Sequence, residues 1–441
     1  MDSLAEALLS GATPEELNRH PVPDEYIAAH ISAADVGMFD GVADKDVRKS
    51  IRVGKVPMPE LAPDEVLVAV MASSINFNTV WSATFEPLPT FNFLKRYARL
   101  GGFAARHDRP YQVIGSDAAG VVVRAGAGVS RWGTGDHVVV SCIQVDDHEP
   151  ATHADSMVSE NQRAWGYETN FGGLAHYAVV KASQLIAKPA HLTWEEAGSN
   201  MLTASTSYRM LIGDKGARIK LGDIVLVWGA TGGLGAFAVQ MVRSAGGIPV
   251  GVVSSEAKAA AARALGCEAV VNRAEIGLDG DPTPEKTIEQ GKRLGKIIRR
   301  EVGEDPHVVF DYVGRATFGI SVFVVRRGGT VVTCGSSTGY THEYDNRYLW
   351  MNSKRILGCH AANLHEQAEC SRLFGLGKVS PILSGVHSLA ETGEAARLVQ
   401  TNQHMGKIGV LCMAPREGLG VTDPELREKI GAARLNPLRK L

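Results

Sequence analysis

The chain is 441 residues long, 44% apolar and 21% charged, enough for two domains that each bury a core. A formal net charge of −2 excludes whole-molecule attraction to nucleic acid or to an anionic membrane surface. The six scattered cysteines form no short-range pair, which argues against a disulfide scaffold and for free thiols.

No apolar run reaches the roughly 18–20 residues of a membrane span. The opening stretch MDSLAEALLSGATPEELNRH carries acidic residues and lacks the apolar core of a secretory signal, so a cytoplasmic location is expected. Residues 1–50 alternate short helical pieces with Pro21, Pro23 and Gly41 and read as an extension wrapping a core formed later. Strand signals follow at 66–72 (VLVAVMA), 120–124 (GVVVR) and 136–141 (DHVVVS), with glycines at 126, 128, 133 and 135 marking tight turns. From about residue 206 short apolar strands alternate with helical stretches. The strands are expected at 224–228, 249–253, 269–271, 308–311, 330–334 and 355–359, with helices at 236–245 and 256–265. That alternation predicts βαβ units and a parallel sheet. The charged stretch 285–304 reads as an exposed helical insertion. Beyond it, 364–376 is predicted helix and 408–413 strand. The fold class is therefore α/β, with an irregular, turn-rich β region (1–205), a doubly wound parallel-sheet domain (206–358) and a return to the first region (359–441).

The glycine cluster Gly229, Ala230, Thr231, Gly232, Gly233, Leu234, Gly235 lies between a buried strand and a helix. Glycines there let the backbone approach a pyrophosphate, and the helix N-terminus supplies N–H groups and partial positive charge. Ala230 takes the first glycine position of the usual pattern; strand, loop, helix and next strand nevertheless come in order within roughly 30 residues. Where an NAD site would place a carboxylate on the ribose, this chain has Ser254 and Ser255, with Lys258 just beyond. Hydroxyls and an ammonium suit the 2′-phosphate of NADPH. Glu256 opens the next helix and is expected to face away.

Catalytic zinc would need Cys and His ligands, and residues 74–78 and 115–117 offer none. His148, Glu149 and His153 resemble a zinc-helix motif, but the spacing is one residue too long and Pro150 interrupts it, so a loop is expected. No four-cysteine cluster is present, and no metal is expected. Without such a Lewis acid a conjugated thioester is the easier hydride acceptor, because charge moves to an enolate oxygen that hydrogen-bond donors can stabilise.

Nine blocks between about residues 70 and 420 carry a resemblance: 73–78 (SSINFN), 111–120 (YQVIGSDAAG), 165–174 (WGYETNFGGL), 228–235, 327–333 (RGGTVVT), 342–350 (HEYDNRYLW), 355–360 (RILGCH), 406–411 (GKIGVL) and 414–420 (APREGLG). Together they resemble the crotonyl-CoA carboxylase/reductase family of zinc-free medium-chain dehydrogenase/reductases. The resemblance implies a GroES-like β-barrel catalytic domain joined to a Rossmann domain. It also implies NADPH-dependent reduction of an enoyl-CoA, with CO2 as co-substrate trapped at Cα of the enolate to give an alkylmalonyl-CoA. Asn78, Tyr167, Glu168 and His360 match the family's CO2 pocket. An Asn amide can donate to one CO2 oxygen, and Glu with His can hold an ordered water that donates to the other. An aromatic residue can exclude bulk water. The family usually has Phe where this chain has Tyr167, which adds a hydroxyl to a site meant to be dry.

The CoA phosphates need cations. Arg347, Lys354 and Arg355 are the candidates, completed by a neighbouring subunit, with Arg209 and Arg315 behind them. Residues 311–315 and 197–208 depart from crotonyl-specific members and point to the branch serving polyketide assembly, with longer or branched acyl chains. The resemblance further implies a homo-oligomer, a tetramer assembled from dimers. Two other readings stand beside the carboxylase: a plain NADPH-dependent enoyl-CoA reductase in which the enolate is protonated, and a relative recruited to bind single-stranded nucleic acid. Neutral charge and the absence of a basic, aromatic strip argue against the latter.

Overall fold

The computed structural model describes residues 2–278, 282–431 and 434–440. They form two compact units, one of Met1–Leu202, Asn363–Ser371 and Leu383–Ala432, the other of Thr203–Ala362, Arg372–Ile382 and Ala433–Leu441.

The first unit is built on the strand Glu65–Ser74, whose ten residues are all buried. An apolar run of that length is stable in a sheet only when both faces are covered. Here it pairs antiparallel with Ala119–Ala125, Tyr177–Lys181 and Lys407–Leu411, inside a seven-stranded sheet that also holds His137–Val140, Leu185–Ala187 and Leu383–Ser388. A second, three-stranded sheet places Glu25–Ser32 between Arg52–Pro57 and Tyr111–Val113. The N-terminal stretch, read as helical pieces, therefore contributes a central strand. Its sequence, EYIAAHIS, is poor in β-branched residues, so only the pairing partners reveal it.

In the second unit six parallel strands run in the spatial order Ala269–Asn272, Ile248–Val253, Ile224–Trp228, Val308–Asp311, Thr330–Thr333, Arg355–Gly358. By sequence this is the doubly wound order 3-2-1-4-5-6, with the nucleotide crevice outside the carboxyl ends at the central crossover. Asp311 closes the fourth strand as a fully buried carboxylate. It accepts hydrogen bonds from the Val313 and Gly314 amides and from the hydroxyls of Thr317 (2.9 Å) and Ser321 (2.6 Å). The Trp228 indole donates to Ser321 at 2.8 Å, tying the first strand to the same knot.

Two local expectations need correction. The charged stretch around 285–304 is no exposed insertion. The helix Pro284–Val302 buries Leu294 and Ile298 completely within the sheet's core cluster and packs on the helix Phe318–Val324. Its buried stripe is narrow, Gln290, Gly291, Leu294, Gly295 and Ile298, and charges occupy most of the remainder. The His148–His153 stretch is not a loop throughout, because Pro150–Asp155 forms a short helix. Pro150 starts it at the first helical position, where a missing N–H costs nothing.

Residues 372–382 cluster with the second unit for visible reasons. Phe374 meets Phe237 edge-on at 5.8 Å, and the Ser380 amide donates to Gln240 at 2.9 Å. All six cysteines are free thiols, and no helix among the described residues is long and apolar enough to cross a membrane.

Candidate active site

The dinucleotide loop follows Trp228 at the end of the central strand and runs into the helix Gly235–Ser244. Gly229 sits at φ 59°, and the Gly232 amide donates to its carbonyl at 2.9 Å, closing the turn. A Cβ at Gly235 would lie 2.2 Å from the Gly229 oxygen, so only glycine lets the helix start against the loop. Ala230 is buried and donates its amide to Val252, where its methyl group packs on Gly251. Thr231 is buried as well, whereas Gly232, Gly233 and Leu234 are half-buried. No side chain caps the helix N-terminus, which leaves it suited to a pyrophosphate.

Sequence reading missed what braces this loop. The Tyr312 hydroxyl donates to the Gly229 carbonyl at 2.8 Å and occupies the space that Cβ atoms at Gly229 and Gly232 would need. Burial raises this phenol well above the usual tyrosine range, so it stays protonated and donating.

At the adenosine end Ser255 caps the helix Glu256–Leu265, accepting the Lys258 amide at 3.3 Å, while Ser254 lies half-buried before it. Glu256 opens the helix and takes a hydrogen bond from Asn272 at 3.3 Å. The Lys258 ammonium is held below the usual lysine range by burial and by the charge of Arg273. Arg273, exposed just after the strand Ala269–Asn272, also went unnoticed in sequence. Two cations that repel each other beside a serine pair fit a 2′-phosphate, which would relieve the repulsion.

In the first unit Asn78 lies in the opening turn of the helix Phe77–Thr84, which Asn76 precedes. Beneath it is a buried ion pair. Lys407 donates to Asp117 at 3.3 Å, to the Ile75 carbonyl at 3.0 Å and to the Asn76 side chain. Asp117 also accepts from Ser74 (2.9 Å), Asn76 (2.8 Å) and the Leu202 amide (2.9 Å). Burial holds the Lys407 ammonium below the usual lysine range, with Asp117 pulling the other way.

The Asn78 amide nitrogen donates to the Ser116 hydroxyl at 2.8 Å, and that hydroxyl donates to the Trp165 carbonyl at 2.6 Å. Asn78 Oδ1 is buried and has no hydrogen-bond partner among the described residues. Trp165 begins the turn that carries Tyr167 and Glu168. A Cβ at Gly166 would lie 2.0 Å from the Gly115 carbonyl, so the two turns pack backbone to backbone. Glu168 accepts the Ala164 amide at 2.8 Å. The half-buried Tyr167 ring lies tilted on Phe93 at 5.9 Å. Gln112, fully buried, donates to the carbonyls of Tyr167 (2.8 Å) and Thr169 (3.2 Å) and grips the turn from both sides of Glu168.

Asn78, Tyr167 and Glu168 thus form one hydrogen-bonded neighbourhood in the first unit. His360 belongs to the second, exposed just past the strand Arg355–Gly358.

The three CoA candidates differ sharply. Arg347 is tied to Asp345 by three side-chain hydrogen bonds, the shortest 2.7 Å. Lys354 donates to the carbonyls of Val322 (2.8 Å) and Phe323 (2.9 Å) at a helix C-terminus, and burial brings it down to about 8. Arg355 alone of the three is exposed with no side-chain partner among the described residues. Arg209 is buried and Arg315 exposed. Among the described residues no group of three or more His, Cys, Asp and Glu could hold a metal ion.

Comparison with known proteins accords with this geometry. Residues 62–190 match the alcohol dehydrogenase GroES-like domain, and residues 233–375 match the zinc-binding dehydrogenase family. The crotonyl-CoA reductase of Streptomyces avermitilis is 52% identical over 421 residues, covering 94% of each chain. The crotonyl-CoA carboxylase/reductase of Cereibacter sphaeroides is 39% identical, over 84% of this chain and 86% of its own. A solved 2-octenoyl-CoA carboxylase reductase, in complex with NADP and 2-octenoyl-CoA, superposes with a TM-score of 0.98 at 62% identity, over 100% of this chain and 99% of its own. The chain belongs to the crotonyl-CoA carboxylase/reductase family of medium-chain dehydrogenase/reductases.

Proposed function

We propose that this chain is an NADPH-dependent 2-enoyl-CoA carboxylase/reductase that forms an alkylmalonyl-CoA, with a medium-length acyl chain as its preferred substrate. The observation that carries the reading is the hydrogen-bonded row Asn78–Ser116–Trp165, which leads straight into the turn of Tyr167 and Glu168. A donor amide, a carboxylate and an aromatic wall are what capture of an apolar gas requires.

NADPH, held by the Gly229–Gly235 loop and by Ser254, Ser255 and Lys258 with Arg273, supplies the hydride to Cβ. The second hydrogen of the Asn78 amide donates to a CO2 oxygen, placing its carbon against Cα. Glu168 commits one oxygen to the Ala164 amide and keeps the other for an ordered water. The Tyr167 ring excludes bulk water, which would otherwise protonate the enolate. Arg355 meets a CoA phosphate. The acyl preference follows the octenoyl-CoA relative, which shares more of this sequence than the crotonyl-CoA enzymes do.

A homo-oligomer, a tetramer assembled from dimers, fits the exposed edge strand Arg355–Gly358 and the exposed Tyr340, Trp350, Met351 and Ile356 nearby in sequence. A second copy there would complete the Arg355 site. A cytoplasmic location, where CoA thioesters and NADPH are at hand, completes the reading.

One feature favours a second reading, a plain reductase: the Tyr167 hydroxyl is a proton source where the enolate forms. Product mass spectrometry decides between them. The protein is mixed with NADPH, labelled bicarbonate and 2-enoyl-CoAs from crotonyl to octenyl. Labelled alkylmalonyl-CoA, most abundant near eight carbons, is expected, and Tyr167→Phe should raise the carboxylated fraction. Unlabelled saturated acyl-CoA alone would establish the plain reductase.

A further inference from the structure

Asn78 can serve CO2 only if its nitrogen, not its oxygen, is presented as donor, and an amide by itself is free to turn over. The structure removes that freedom through a residue that no sequence pattern singled out. The Trp165 carbonyl can only accept. At 2.6 Å it takes the one hydrogen of the Ser116 hydroxyl, so Ser116 Oγ must in turn accept. Its donor at 2.8 Å is therefore the Asn78 amide nitrogen, with one hydrogen committed and one left over. The direction of every bond in the row is set from its far end, by a backbone oxygen.

Ser116 is itself well held. It is 1% exposed, and it lies between Gly115, packed on Gly166, and Asp117, held by Lys407. We propose that Ser116 is a positioning residue that fixes the orientation of the Asn78 amide and thereby sets the partition of the enolate between CO2 and a proton. This rests on the carboxylase reading above and adds to it a residue outside the CO2 pocket itself. Without the hydroxyl the amide turns over, its oxygen faces the oxygens of CO2, and capture fails more often than hydride transfer does.

The test measures, for each variant, NADPH oxidation and the ratio of carboxylated to saturated product at limiting bicarbonate. Ser116→Ala is expected to lower the ratio about fivefold, the worth of one buried hydrogen bond, with NADPH oxidation changed by less than about twofold. Ser116→Thr, which keeps the hydroxyl, should restore the ratio. In Asn78→Ala/Ser116→Ala the ratio should equal that of Asn78→Ala alone, because Ser116 acts only through Asn78.

Parallel losses of both activities in Ser116→Ala, or a double variant with a lower ratio than Asn78→Ala, would overturn the proposal. If Asn78→Ala lowers the ratio but Ser116→Ala does not, the positioning role falls and the CO2 site stands. If Asn78→Ala leaves the ratio unchanged, the CO2 site falls and the positioning role with it.

Discussion

Replacing Lys407 by methionine keeps the length of the side chain and removes its charge from the floor of the Asn78 site. The Lys407 side chain is 2% exposed and the Asp117 side chain 1%, so water cannot take over the lost interactions. Asp117 would keep its bonds from Ser74, Asn76 and Leu202 but lose its counter-charge, and the Ile75 carbonyl and Asn76 Oδ1 would each lose a donor. Breaking one partner out of a buried pair costs about 3–5 kcal/mol. Against a total stability of about 5–15 kcal/mol, that is a large share.

Urea unfolding followed by tryptophan fluorescence should show the midpoint of Lys407→Met well below that of the parent. Lys407→Met/Asp117→Asn should regain part of the loss, because the stranded charge is gone. A loss below about 1 kcal/mol would mean that the pair is solvated after all. A double variant no better than the single would mean that the charge on Asp117 was not the cost.

Gly235→Ala drives a methyl group into the Gly229 carbonyl, so the loop must shift; the NADPH dissociation constant, measured by fluorescence titration, should rise about tenfold or more with the fold intact. Lys258→Ala and Arg273→Ala should each weaken NADPH by roughly tenfold while NADH binding hardly changes, and equal losses for both nucleotides would remove the 2′-phosphate assignment. Stability should also fall in acid. Burial, with Arg106 alongside, brings the His107 imidazole down to about 3 from an ordinary 6.5, so below pH 6.5 the unfolded chain takes up a proton that the folded one refuses. The contribution is complete above 6.5 and is lost progressively towards 3, at up to about 1.4 kcal/mol per pH unit. His137, His176 and His191 are displaced in the same direction by burial. The urea midpoint of His107→Gln should therefore depend less steeply on pH between 7 and 5 than that of the parent, and an identical slope would refute the assignment.

The parts of this protein that can be read from sequence are those decided by neighbours in the chain. The apolar run 224–228 and the alanine-rich helix 256–265 have the bounds expected of them, because period and composition alone select strand and helix there. Glu25–Ser32 was lost because its alanines and histidine carry no strand signal, and its two partners lie about 25 and 80 residues away in the chain. Pro284–Val302 misled through its charges, which fill most positions outside a narrow buried stripe. The same divide runs through the active site. Loop glycines and cap serines are local and legible. Ser116, Gln112, Tyr312 and Arg273 take their meaning from groups that only the fold brings near, in the case of Tyr312 from a carbonyl 83 residues away.

The phenol beneath the phosphate loop also constrains how this sequence can drift. Tyr312 fills the volume that side chains at positions 229 and 232 would claim, so a larger residue at either glycine is admissible only after the tyrosine has shrunk. A smaller residue at 312 leaves a hole that a side chain at 229 or 232 would fill. These three positions, two on the loop and one on a different strand end, should change together among relatives or not at all, and a chain that has lost the tyrosine should be the one whose nucleotide loop has lost a glycine.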